Sequence, residues 1–195
     1  MNKIGLYFGS FNPIHNGHIH VARQAVLQFK LDQVWIIVSP QNPFKENNAL
    51  APEHHRLQMA RLACQAYDFL RVSDIEFSLP RPSFSITTLM AIEEQFPQNN
   101  YFLIVGEDNL STFHLWKDFE KLLETAPLIV YPRANQLSSL PQPLIEYQNR
   151  IHVLKGDLMN VSATEIRNII HEGKSANDLT PDSVIRYISA NHLYV

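Results

Sequence analysis

Apolar residues fall along this chain in short continuous runs separated by stretches with helical spacing, an alternation that predicts strands feeding helices. Ile4 to Phe8 is short and β-prone, as a strand buried on both faces would be, and Gly17 to Phe29 then shows helical spacing. Gln33 to Ser39 is a second apolar run, closed by Pro40. Residues 40 to 52 are polar and proline-interrupted without periodicity, so they read as a long loop. The next helix opens with Pro52 at its first position and continues through Leu57, Ala60, Arg61 and Cys64. Leu70 to Ile75 reads as a third, shorter strand. After a Pro-rich loop, Ser83 or Ser85 is placed to cap a helix from Ile86 to Gln95. Tyr101 to Val105 is the clearest strand and runs into the turn Gly106 to Asn109. A helix containing Trp116 to Leu123 follows, then a strand from Pro127 to Tyr131 ending at Pro132 and Arg133. Residues 134 to 149 read as an irregular connection. Ile151 to Leu154 is a short strand, Val161 to Arg167 starts a helix, and a last helix begins at Thr180, Pro181 and Asp182 and reaches Asn191.

Strands that alternate with helices predict an α/β fold: a Rossmann-like doubly wound parallel sheet of five or six strands, with a small C-terminal helical part. In such a sheet the turns after residues 8, 39, 105 and 131 open on one edge, where ligands bind outside the carboxyl ends of the strands. At 195 residues the expected organisation is one domain spanning 1–195.

Composition narrows this picture. Apolar residues make up 45%, as in globular chains, and a net charge of −3 argues against broad nucleic-acid binding. The expected ligand is small and anionic. The single cysteine leaves no disulfide framework and fits a reducing compartment. No apolar run approaches a membrane span, and the first strand follows the start at once, so the expectation is a cytoplasmic protein without a membrane segment. Oligomeric state is left open, a homo-oligomer included.

The candidate chemistry sits where the first strand meets the first helix, at Gly9-Ser-Phe-Asn-Pro-Ile-His-Asn-Gly-His18. A strand running into a helix presents free N–H groups and the positive helix end to an anion. His15 lies just before that helix and His18 in its first turn, so both imidazoles can reach one phosphate. Glycine at 9 lets a bulky group approach the backbone, and Gly17 leaves room beside the histidines. A zinc pair would need further ligands, for which there is no obvious cluster. Ser162 and Glu165 have capping-box spacing. For Asp108 a plain helix cap, for Arg56 a helix-surface charge, and for Trp116 a core aromatic stand beside any functional role.

The run G-S-F-N-P-I-H-N-G-H resembles the signature of the nucleotidylyltransferase superfamily, and V-S-A-T-E-I-R at 161–167 resembles its second motif, in the required order. Phe8 stands where the family commonly has a second Gly, and Asn12 where it often has Asp. The segments P-x-x-P-F-K, P-S-F-S-I-T-T-L and V-G-E-D-N-L-x-x-F-x-x-W make the chain similar to the nicotinate-nucleotide adenylyltransferases throughout. The resemblance implies adenylyl transfer from ATP to nicotinate mononucleotide, with Mg2+ on the ATP phosphates. It implies His15 and His18 as catalytic residues, with Gly9, Ser10, Phe11, Lys45, Gly106, Asp108, Arg133, Ser162, Thr164 and Arg167 on ATP. Ser85, Trp116 and Lys117 are implied on the mononucleotide. Phosphopantetheine adenylyltransferase, which shares both phosphate motifs, and a nucleotide-binding sensor without turnover are the competing expectations.

Overall fold

The computed structural model describes residues 1–40, 50–132, 139–156, 159 and 161–195. Six strands form one parallel sheet: β1 (Lys3–Gly9), β2 (Gln33–Val38), β3 (Leu70–Ser73), β4 (Asn100–Gly106), β5 (Leu128–Tyr131) and β6 (Ile151–Val153). Their order is β3-β2-β1-β4-β5-β6, with every neighbouring pair parallel. The chain winds outward from β1 to β3, then returns to the other side of β1, which puts the reversal of order between β1 and β4.

Period-two alternation distributes each strand between two cores. Tyr7, Val34, Ile36, Val38, Ile104 and Ile129 face a layer built by α1 (Asn16–Phe29), α2 (Glu53–Cys64) and α7 (Asp182–Ala190). Leu6, Trp35, Ile37, Leu103, Val105 and Val130 face the opposite layer, built by α3 (Ser85–Gln95), α4 (Glu107–Ser111) and α5 (Phe119–Thr125). The remaining helix, α6 (Ala163–His171), sends Ile166 into full burial.

Several local expectations are corrected. Pro52 is the residue before the first turn of α2, its ψ of 143° being extended. Arg61 leaves the apolar pattern of that helix, being exposed and paired with Asp74 at 3.0 Å. Neither Ser83 nor Ser85 caps α3: Phe84 occupies that place without a side-chain bond, and Ser85 is the first helical residue. The helix expected through Trp116 is broken into α4, a 3-10 turn at Phe113–Leu115, and α5. Asp118 makes the break with φ of 51°, a left-handed conformation that Asp tolerates better than most residues. Part of the expected irregular connection is a 3-10 helix, Gln142–Arg150.

Candidate active site

The carboxyl ends of β1, β2, β4 and β5 open on one edge, because Gly9 is in register with Val38 and Gly106 with Tyr131 across the parallel sheet. At the reversal point β1 ends in a turn that delivers His15 as the residue capping α1, with His18 in the first turn of that helix. Their rings stack, centroids 3.6 Å apart and planes 27° from parallel. The backbone N–H of His15 donates to His18 Nδ1 at 3.2 Å. With Nδ1 an acceptor, the neutral His18 ring carries its proton on Nε2, a donor.

Burial pushes the His15 pKa down to about 4, and burial together with the neighbouring His15 holds His18 well below the usual histidine range. Both rings are therefore neutral at neutral pH in the free protein. His15 Nδ1 is buried without a hydrogen-bond partner. Gly17 makes room for this ring: a Cβ there would lie 3.0 Å from His15 Nδ1, and 3.6 Å from the carbonyl of Val161. That last contact brings the amino end of α6 against the amino end of α1, so two helix N-termini converge beside the histidine pair.

Gly9 also proves to be a close-approach position, but the bulky group is the chain's own Phe11 ring, 3.0 Å from where a Cβ would stand. Phe11 has φ of 46° and its side chain is core, edge-on to Tyr7 and His18. Only its backbone is left to meet a ligand.

On α6, Ser162 caps the helix by accepting from the Glu165 N–H at 3.1 Å. Arg167 reaches back to donate to the Asn12 carbonyl at 2.8 Å and to Thr164 Oγ1 at 3.2 Å. Both phosphate motifs are thus joined directly. Asn12 Oδ1 accepts from the Ala51 N–H at 3.0 Å and the Tyr194 hydroxyl at 2.8 Å. A carbonyl oxygen suits both donors without placing a full charge in a buried position. Further clamps come from Thr180, whose hydroxyl donates to the Ile14 carbonyl at 2.8 Å, and from the Asn16 N–H, which donates to the Leu179 carbonyl at 2.9 Å.

Arg56 is the largest departure from expectation. Its side chain is 1% exposed and donates to four carbonyls: Ala51 at 2.9 Å, Ser10 at 2.7 Å, Ser39 at 2.6 Å and Pro40 at 2.7 Å. Burial lowers its pKa from the ordinary value, yet a guanidinium remains protonated. A cation thus lies behind the turn after β1, solvated by carbonyl dipoles.

The other half of the edge holds the segments expected to meet the acceptor. Ser85 opens α3, whose first intrahelical bond is Thr88 N–H to the Phe84 carbonyl at 3.1 Å. The N–H groups ahead of it have no place in the helical ladder. Trp116 is only partly buried and lies against Phe113, centroids 4.9 Å apart, so it is neither a full core aromatic nor a free one. Lys117 Nζ stands 4.8 Å above the Phe84 ring, which brings the 116–117 turn beside the start of α3. Arg81 is engaged elsewhere, on Glu53 at 2.9 and 3.0 Å. Gly106 precedes α4, so the capping role considered for Asp108 is not found; Asp108 is exposed in the first turn. Lys45 and Arg133 lie outside the described residues. Among the described residues no group of three His, Cys, Asp or Glu side chains could hold a metal ion.

No pattern of residues pointed to Glu76, which is 2% exposed and accepts from Ser83 Oγ at 3.0 Å, Thr88 Oγ1 at 2.8 Å and the Ser39 hydroxyl.

The cytidylyltransferase-like sequence profile matches residues 6–169. Among curated relatives, a protein of Flavobacterium johnsoniae named "Probable nicotinate-nucleotide adenylyltransferase" is 42% identical over 193 residues, covering 98% of each chain. One of the same name from Cytophaga hutchinsonii is 43% identical over 192 residues, again covering 98% of each. Among solved structures, Plasmodium falciparum nicotinic acid mononucleotide adenylyltransferase complexed with NaAD superposes with a TM-score of 0.79 at 18% identity. That match covers 100% of this chain and 98% of the other.

Proposed function

Since the chain belongs to the cytidylyltransferase-like family and, within it, to the nicotinate-nucleotide adenylyltransferases, we propose that it transfers AMP from ATP to nicotinate mononucleotide, giving deamido-NAD and pyrophosphate. The observation that carries this reading is the meeting of two helix N-termini, those of α1 and α6, at one stacked histidine pair on the reversal edge of the sheet. We take the whole chain as one catalytic domain working in the cytoplasm. No helix among the described residues is long and apolar enough to cross a membrane, and burial pushes the Cys64 thiol up to about 12, away from reactivity.

The acceptor phosphate is already an anionic nucleophile, so the reaction needs no general base. It needs donors at the oxygens of the α-phosphoryl group in transit and at the departing pyrophosphate. His18 offers its Nε2–H to the α-phosphoryl, and His15 stands beside it. The N–H groups of the turn at Gly9, Ser10 and Phe11 approach the same group, with the buried Arg56 cation behind them. The end of α6, through Ser162, Thr164 and Arg167, receives the outer phosphates, aided by Lys45 and Arg133. Gly106 and Asp108 meet the AMP part.

Mg2+ fits the triphosphate better than the chain. The site offers imidazole, hydroxyl and guanidinium groups, which suit phosphate oxygens, so the ion's ligands would be phosphate and water. Neutralising phosphate charge is the chemistry it would supply.

On the acceptor, Trp116 stacks on the pyridine ring, and the N–H groups at Ser85 and Lys117 receive the carboxylate. Arg81 is spent on Glu53 and Lys117 Nζ on Phe84, so backbone donors carry the selection. Pyrophosphate release from ATP, measured in parallel with nicotinate mononucleotide, its nicotinamide analogue and phosphopantetheine, tests the reading. The acid should lead the amide by at least ~10²-fold in kcat/KM, as two lost charge-assisted contacts require. Turnover with phosphopantetheine alone would overturn it.

A further inference from the structure

Glu76 is a carboxylate in a place where an apolar residue would be cheaper to bury. It follows β3 in a short 3-10 turn, Ile75–Ser78, and collects hydroxyls from three separate segments. Ser39 comes from the end of β2, Ser83 from the turn before α3, and Thr88 from the first turn of α3 itself. We infer that Glu76 is a positioning residue for the acceptor: by tying the 83–85 turn and the start of α3 to the end of β2, it fixes where the free N–H groups of that helix meet the acceptor's carboxylate. The inference rests on the proposed function, which gives the start of α3 to the acceptor.

Two negative groups then share one helix end, Glu76 from inside and the acceptor's carboxylate from outside. Division of donors makes that arrangement workable. Hydroxyls satisfy the inner carboxylate, which leaves the N–H groups ahead of Thr88 for the outer one. Desolvation raises the Glu76 pKa while its hydroxyl partners oppose the rise, as expected of a carboxylate held by neutral donors.

The same contacts tie the acceptor side to the phosphate side. The Ser39 N–H donates to the Gly9 carbonyl at 2.9 Å, and the Ser39 carbonyl accepts from Arg56, which also holds Ser10. Glu76 therefore sets the acceptor turn relative to the phosphate turn through one intervening residue. Reacting groups must meet within fractions of an ångström, and a displacement of about 1 Å can cost ~10²-fold.

Glu76→Gln keeps the shape but turns an amide donor toward hydroxyls that now donate. Ser83→Ala removes a single tether and leaves the buried acid in place. Steady-state kinetics and Tm should be measured on both, with ATP and nicotinate mononucleotide varied separately. KM for the mononucleotide should rise ~10-fold in Glu76→Gln and ~3-fold in Ser83→Ala, for loss of one to two hydrogen bonds, with KM for ATP within about twofold of wild type. If Glu76→Gln does not fold, Ser83→Ala decides alone. A lower Tm with the mononucleotide KM unmoved would make Glu76 a structural residue only and sink the inference. An equal rise in both KM values would do the same. A wild-type protein that transfers nothing to the mononucleotide overturns the function itself, whereas normal wild-type turnover with unmoved variants overturns only the role of Glu76.

Discussion

His18 offers a donor whose direction is fixed by the bond its other nitrogen accepts from the His15 backbone. Its contact with the α-phosphoryl should strengthen as charge builds in the transition state. His18→Ala should lower kcat by ~10²–10³-fold, the scale for losing one oxyanion donor, while ATP affinity changes little. Near-normal turnover would remove it from the mechanism. His15 supplies a pH signature. Its folded pKa, about 4, lies below the ordinary 6.5, so between those values the unfolded chain binds more protons than the folded one. Stability is therefore full above the ordinary value and is lost as pH falls toward the folded one. From about pH 7 to pH 5 the loss should be roughly 2 kcal/mol from this residue, and His18 shifts in the same direction. Thermal melts of wild type and His15→Asn across that range check it, the variant giving the flatter profile. Both histidines were legible because motif and spacing put them at a strand-to-helix turn. Arg56 was not, since a cation in a helical stretch reads as surface until the fold brings four carbonyls around it. Glu76 was silent for the same reason: its partners come from three segments that only the fold assembles.

Elements were read well wherever one periodicity governs a whole segment. The strands and α1, α6 and α7 follow the alternation of apolar runs within a residue or two. Reading failed where polar backbone geometry decides. Residues 113–123 have helical composition, yet Asp118 turns left-handed there and frees Trp116 and Lys117 from any helix. That break exposes the backbone proposed to meet the acceptor. Ser83 has good capping chemistry, but it lies one residue ahead of the cap position, which Phe84 holds, and its hydroxyl donates to Glu76 instead. Helix α6 opens on the Ser162 cap its spacing predicts, and Arg167 ties that helix to the turn after β1. Arg167→Ala should raise KM for ATP ~10-fold, the scale of one charge-assisted contact, and leave KM for the mononucleotide near wild type. Initial rates with each substrate varied in turn decide this; a rise confined to the mononucleotide would show that the two halves of the pocket have been interchanged.

The whole molecule adds what no local pattern could give: the order of the strands, and the return of the C-terminal part onto the first turn of the chain. Tyr194 donates to Asn12 across 182 positions, Thr180 to Ile14 across 166, and Arg167 to Asn12 across 155. The expected small helical appendage is thus tied to the turn after β1, where we propose that the phosphates bind. Tyr194→Phe deletes one hydroxyl and should raise KM for ATP ~3-fold, at a cost in stability of about 1 kcal/mol. Kinetics and melts on that variant check both, and no change in either would mean that the Tyr194 hydroxyl contributes nothing to holding Asn12. These spans also bear on how the protein is made. The turn after β1 is synthesised long before its partners at residues 167, 180 and 194. A ribosome-bound chain can build the strands and helices around β1 early, but it cannot complete this edge until residue 194 is free to reach residue 12, so nucleotide binding should arise only once that residue has left the exit tunnel.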